Sequence, residues 1–503
     1  MKLRSVVFAA VPAMALSAGT VYWVTPAPRT ALAEAHVAPS VTTVDLRGQG
    51  TDAPPLLGRF TGGETVKVDA RLANAKVAIG QSTETFLLVE ARGGEIAKDA
   101  VEPVAHLGIV IDRSGSMRGT RMQNAKAAAN AAVDRLKDGD SVSVVTFDTR
   151  ADVAVPRTTL SPTSRADVRR EIEAISLGGD TCVSCGVDAE MDVLGAGNGE
   201  TRRMIVLSDG DTNNGIRDEA GLRALAQRAR DRGVTVTSIG VDLAYNERVM
   251  AALAEGGEGR HYFVQRPDDL AKVFSDEAEA LRTSVASEAS LSIELEPGVE
   301  LVSVLDRSFE RQGARIVVPM GSFSRGEVKT ALLRVRITPA RAEATHVARV
   351  DLRFQDLAAR APATVTGQLD AMGADTTDEA DPFVMARVER SRTADALEEA
   401  NKLFKNGDLE GARARLAAQR KVVSHFNDTL PTTTPNPFGR GDDAQKDSSA
   451  QLDSLTKADT GFASPPPPRP SNPSVAADSP FDASPQPAAQ VRENQAAATE
   501  SRR

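Results

Sequence analysis

The sequence predicts an α/β chain, with a doubly wound, mostly parallel sheet set into an all-β sandwich and followed by a helical hairpin and a disordered tail. Three observations carry that reading. Strand and helix patterns alternate across residues 101–285, which implies a mostly parallel sheet covered on both faces. Residues 286–372 carry strand patterns without helices, the signature of a sandwich. Two half-buried strand patterns, Thr65–Arg71 and Thr85–Ala91, lie ahead of the alternation within residues 57–100 and are too few to stand alone. They are expected to join the later strands, leaving the α/β unit as an insertion, which closely spaced domain termini allow.

Taken in order, the chain opens with Lys2 and Arg4, an apolar stretch from Ser5 to Val24, and Ala31-Leu32-Ala33, an Ala-x-Ala cleavage pattern. Residues 1–33 read as a secretory signal. The stretch is also about long enough to span a bilayer, so an uncleaved anchor is the alternative. Residues 34–56 form a polar linker. Strands are expected at His106–Ile111, Ser141–Phe147, Arg203–Leu207, Val234–Val241 and Arg260–Val264. Between them fall helices at Arg121–Leu136, at Ser164–Ile175 with Ser164 as N-cap, and at Glu219–Arg232 ended by Gly233. Pro267 opens a last helix to about Leu281 at the position proline prefers. Residues 382–427 read as a helical hairpin broken by Asn406-Gly407-Asp408. Beyond it, 428–503 is polar and proline-rich, and is expected to be disordered.

Composition excludes several classes. A chain of 503 residues needs more than one core. A net charge of -9 disfavours nucleic acid or an anionic membrane surface as the main partner, and an aromatic content of 4% argues against base stacking. Membrane association is expected only through an N-terminal anchor. With two cysteines, neither a disulfide-rich scaffold nor a four-cysteine zinc site can form. The five histidines fall in different elements, and no nucleophile elbow or phosphate loop is present. No enzyme activity is expected.

The most informative stretch is Asp112-Arg113-Ser114-Gly115-Ser116, directly after the apolar run Leu107–Ile111. A carboxylate and two hydroxyls at alternate positions past a buried strand offer hard oxygen donors at one sheet edge. Few charges and hard oxygens suit Mg²⁺, which keeps several waters. Gly178-Gly179-Asp180-Thr181 adds a hydroxyl on a glycine turn. Met204–Leu207 followed by Ser208-Asp209 adds a second strand ending in a carboxylate. Ligands of open α/β sheets bind at such carboxyl ends.

This three-part pattern resembles the von Willebrand factor type A domain with its metal-ion-dependent adhesion site, as found in some bacterial secreted proteins. The resemblance implies a metal set of Asp112, Ser114, Ser116, Thr181 and Asp209. It implies direct bonds from Ser114 and Ser116, with Thr181, Asp112 and Asp209 alternating between direct and water-mediated contact. Mg²⁺ is the expected ion, with Mn²⁺ or Ca²⁺ as substitutes. One position stays open for a Glu or Asp of a protein partner. The expected function is therefore an exported, periplasmic or extracellular, protein-binding or adhesion-type protein. One rival is a subunit serving an ATPase, as in metal chelatase complexes. Another is a thiol-redox protein using Cys182 and Cys185, which follow Thr181 and read as a disulfide, a switch beside the metal loop, or inert buried thiols.

Overall fold

Four groups of secondary structure follow one another along the chain, and the second interrupts a sandwich begun by the first and finished by the third. The computed structural model describes residues 42–45, 57–95, 103–195, 200–209, 212–241, 246–264, 267–430, 443–462 and 485–502. All of them belong to one compact unit, Val41–Arg503. Residues 1–33, read above as a signal or anchor, lie outside the described residues. Among those described, no helix is long and apolar enough to cross a membrane.

The first group holds β1 (Thr42–Asp45), β2 (Arg59–Gly62), β3 (Val66–Leu72), β4 (Lys76–Ala78) and β5 (Thr83–Gly93). The α/β unit begins with β6 (Ala105–Asp112), α1 (Thr120–Arg135), β7 (Ser141–Phe147) and β8 (Ala151–Thr159). It continues through α2 (Pro162–Ala174), α3 (Val183–Leu194), β9 (Thr201–Ser208) and α4 (Glu219–Asp231). It closes with β10 (Val234–Val241), α5 (Glu247–Gly256), β11 (Glu258–Val264) and α6 (Pro267–Arg282).

The sheet of this unit runs β11-β10-β9-β6-β7-β8. Every pairing is parallel except β7 with the edge strand β8. Strand β6 is buried along its whole length. Its Leu107, Ile109 and Ile111 face one helical layer with Ala125, Ala128, Val133 and Phe274, while Val110 faces the other with Met191 and Leu225. Fully burying each such aliphatic side chain contributes about 1.5–3 kcal/mol. Alanines along α1 let α6 pack close against it. Because β6 lies between β7 and β9, strand order reverses there, which opens a crevice at the carboxyl ends of β6 and β9.

After α6 come β12 (Ser284–Leu295), β13 (Val299–Leu305), β14 (Glu310–Gln312) and β15 (Arg315–Ser324). Then follow β16 (Val328–Ile337), β17 (Ala344–Asp356) and β18 (Ala361–Ala374). One sheet runs β13-β16-β5-β3-β2 and the other β1-β18-β17-β12-β15-β14, with β4 on β18. The early strands thus complete the later sandwich. Strand β5 sits between β16 and β3, and Leu87 and Val89 share one core with Leu291, Val335 and Val350.

The chain ends in α7 (Pro382–Lys405), α8 (Leu409–Thr429), α9 (Asp443–Gly461) and α10 (Pro485–Ser501). The first two are the expected hairpin. Two differences from the sequence reading concern its neighbours. Thr42–Asp45, read as part of a linker, adds a parallel edge strand to β18. Within the stretch read as disordered, α9 and α10 pack on α7 and α8 through Leu455, Phe462 and Val491, with the Phe404 and Phe462 rings stacked at 4.2 Å. These helices are polar over most of their surface, so their stability comes from tertiary packing that composition does not report. A smaller difference lies at α2, whose N-cap is Ser161. Ser164 is its capping-box partner at N3.

Candidate metal site

The crevice between β6 and β9 gathers three loops. Strand β6 delivers Asp112, fully buried, to the first. The chain then turns back: the Ser114 N–H donates to Asp112 Oδ1 at 2.8 Å, and the buried Met117 side chain pins the turn to the core. Strand β9 ends at Ser208, whose hydroxyl donates to Asp112 Oδ2 at 2.6 Å, and the next residue, Asp209, is also fully buried. Ser116 Oγ donates to Asp209 Oδ1 at 2.7 Å and lies 2.9 Å from Ser114 Oγ. Asp112, Ser114, Ser116 and Asp209 thus form one hydrogen-bonded group, closed by the Ser116–Asp209 bond across 93 residues of sequence.

The third loop is stitched to the first by backbone. Gly178 N–H donates to the Arg113 carbonyl at 2.7 Å, and Gly115 N–H to the Gly179 carbonyl at 3.1 Å. A Cβ at Gly178 would overlap the Asp148 carboxylate, so any larger residue there would have to displace Asp148. Thr181 is held by its backbone. Its N–H donates to Asn213 Oδ1 at 2.9 Å, and its carbonyl accepts from the N–H groups of Asn213 and Asn214. Among the described residues no hydrogen bond joins its hydroxyl to the other four side chains. Cys182 and Cys185 are joined as a disulfide across the first turn of α3, immediately after Thr181.

Electrostatics sets this group apart. Burial pushes the Asp112 carboxyl up to about 6. Hydrogen bonds from Ser208 and Ser114 oppose that rise, and the nearby Asp209 charge adds to it. Two fully buried carboxylates at close quarters are stabilised by a cation. Among the described residues no group of three or more His, Cys, Asp or Glu is disposed to hold a metal. The donor set here is of another kind, two carboxylates and hydroxyls, and it fits a hard divalent ion that keeps its waters.

One residue was invisible in the sequence. Arg121, which spacing placed only at the start of a helix, donates from Nη1 to the Ser116 carbonyl at 2.6 Å and to Asp209 Oδ2 at 3.2 Å. No motif signals that contact, because it joins residues 88 apart. Arg113 instead turns away to Asp148, at 2.9 Å, and Asp152. The histidines His106 and His261 lie in strand cores, pushed down by burial to about 3 and about 4. Both are neutral near pH 7, bonded to Ser143 and Ser238.

The family model described as the von Willebrand factor type A domain matches residues 106–276, the stretch that builds the sheet and the crevice. This chain contains a von Willebrand factor type A domain. Such domains commonly mediate protein–protein interaction or adhesion. The uncharacterized Escherichia coli protein YfbK is 27% identical over 199 residues, 39% of this chain, and the match spans only 34% of that protein. An uncharacterized Synechocystis protein is 24% identical over 340 residues, covering 63% of this chain and 78% of that one. Among solved structures, a von Willebrand factor type A protein from Catenulispora acidiphila superposes with a TM-score of 0.63 at 18% identity, over 80% of this chain and 92% of that one. The ArnB paralog VWA2 from Sulfolobus acidocaldarius gives 0.54 at 17% identity, over 78% and 98%. At these identities the likeness is one of fold, and it extends well beyond residues 106–276.

Proposed function

We propose that the von Willebrand factor type A domain of this protein binds an acidic residue of a protein partner through a divalent cation held by Asp112, Ser114, Ser116, Thr181 and Asp209. The observation that carries this reading is the single hydrogen-bonded group formed by two fully buried carboxylates and two serine hydroxyls at the switch point of the sheet. Ser114 and Ser116 would hold the cation through their hydroxyls. Asp112 and Asp209 would balance its charge while staying tethered by Ser208 and Ser116. Thr181 would approach from the third loop, which the Gly115 to Gly179 hydrogen bond keeps in place. A bound Mg²⁺, or Mn²⁺ or Ca²⁺ in its stead, supplies an electrophilic point for a carboxylate oxygen. In this reading the role of the crevice is binding. The basic start and apolar stretch of residues 1–24 support export, with the domain working outside the cytoplasm or held at a membrane by that segment.

The test is calorimetry of Mg²⁺ and Mn²⁺ binding to the full chain and to Asp112→Ala. The variant is expected to bind at least tenfold more weakly, about 1.4 kcal/mol. Unchanged affinity would remove the metal-site reading. Capture of partners in Mg²⁺ against EDTA then separates metal-dependent binding from the rest.

A further inference from the structure

The metal-site reading leaves one cation already at the site. We propose that Arg121 is a resident counter-ion that shares Asp209 with the incoming metal and thereby sets how tightly the metal is held. The inference rests on the reading above and adds a residue to it.

The geometry is specific. Asp209 is fully buried, and each of its oxygens has a named donor, the Ser116 hydroxyl on Oδ1 and the Arg121 guanidinium on Oδ2. The same Nη1 also donates to the Ser116 backbone carbonyl, which clamps the serine loop from behind. Arg121 reaches this point from the first turn of α1. That is an unfavourable place for a cation, because the helix dipole is positive there. The first turn of α1 carries no acidic residue, and Gly119 caps it without a side chain. An arginine against the dipole is stabilised by the carboxylate it touches.

Exposure distinguishes this arginine from a structural one. Its side chain is 36% exposed, so the guanidinium meets solvent on one side while it touches Asp209 and the Ser116 carbonyl. Arginine stays charged at any working pH. A divalent cation bound to the serine hydroxyls would therefore lie near a fixed positive charge acting on the same carboxylate. Two consequences follow. Metal affinity is lower than the two carboxylates alone would give. Asp209 also gives up less charge to the metal, which keeps the metal attractive to a partner's carboxylate. Without metal, Arg121 balances the buried Asp209 charge and holds the loops together.

The experiment compares the full chain, Arg121→Met and Arg121→Lys by Mn²⁺ calorimetry and by thermal melts in EDTA and in excess Mn²⁺. Arg121→Met is expected to bind Mn²⁺ at least about fivefold tighter, with Arg121→Lys close to wild type because its charge remains. Arg121→Met should melt lower than wild type in EDTA and recover in Mn²⁺, whereas a purely structural arginine would lower both melts equally. Equal or weaker Mn²⁺ binding in Arg121→Met, with wild type binding normally, overturns the proposal and leaves the metal site standing. Binding by Arg121→Met alone supports it in its strongest form. No binding by any of the three removes the metal reading and this proposal together.

Discussion

Two arginine–carboxylate centres lie in the same α/β unit, and they are built on opposite principles. Beneath the sheet, Glu277 of α6 is fully buried and accepts from Arg203 at 2.6 Å, Thr237 at 2.7 Å and the Tyr262 hydroxyl at 2.7 Å. Its arginine is 5% exposed. Burial alone would raise this carboxyl, yet Arg203 and Arg260 hold it below the usual range. At the sheet's carboxyl edge, Asp209 is equally buried, but its partners include the exposed Ser116 and an arginine that is 36% exposed. The first centre has a buried arginine bonded directly to its carboxylate, with the partly exposed Arg260 at its rim 3.8 Å away, and it fastens α6 to three strands. The second is buried at Asp209 itself, while Ser116 is exposed and Arg121 partly so. Burial of a carboxylate therefore does not separate scaffold from site. The freedom of its partners does.

That contrast can be broken by experiment, first at the Glu277 centre. Glu277→Ala leaves Arg203 buried without its carboxylate and should lower unfolding stability by about 3–5 kcal/mol in urea titration. A loss below about 1 kcal/mol would mean the network is not the fastener described. A second test uses the fully buried Glu190 of α3, which accepts from the Ser143 hydroxyl and, among the described residues, is paired with no cation. Burial pushes this carboxyl up to about 8, while the hydrogen bond from Ser143 acts downward. The folded state therefore keeps a proton that the unfolded chain releases near pH 4.5. Its stability contribution is full below about pH 4.5 and is lost as pH rises through about 8. Glu190→Gln should remove that slope and be more stable than wild type by at least about 1 kcal/mol at pH 8. Parallel pH profiles in the two proteins would contradict it. The smallest effect is expected at the Asp209 centre. Ser116→Ala should change stability by less than about 1 kcal/mol while weakening Mn²⁺ binding, and a larger loss of stability would erase the distinction between the two centres.

Much of this was legible in the sequence because it is local. An apolar run ending in Asp112-x-Ser-x-Ser carries its own geometry: a buried parallel strand must stop at the sheet edge, and the polar residues after it occupy the turn. The same logic placed Asp209 at the end of β9 and Thr181 on a glycine turn. The insertion was legible from imbalance, since the strands at 65–91 needed partners and strands at 291–369 needed a second sheet. What escaped is what depends on distance. Arg121 and Glu277 read as ordinary charges on helix faces, because their partners lie 88 and 74 residues away. Helices α9 and α10 escaped because proline, alanine and polar residues predict little alone. Arg502, near the end of α10, holds Glu398 and Asp395 of α7 through contacts that span 104 and 107 residues.

The pairing of β5 with β16 also sets an order of events during synthesis. Strand β5 ends at Gly93, and its central partner begins at Val328. At ribosomal speed the interval is on the order of tens of seconds. Throughout that time the early strands have one side of their ladder unfilled, while the intervening α/β unit emerges and is complete once Arg282 has been added. That unit acts as a splint. Once folded, it replaces a long floppy loop with a rigid body that carries its two ends together, so β16 meets β5 without the full entropy of closing the chain. A lesion that delays folding of the inserted unit would therefore surface first as aggregation of the N-terminal strands, far from the residue that was changed.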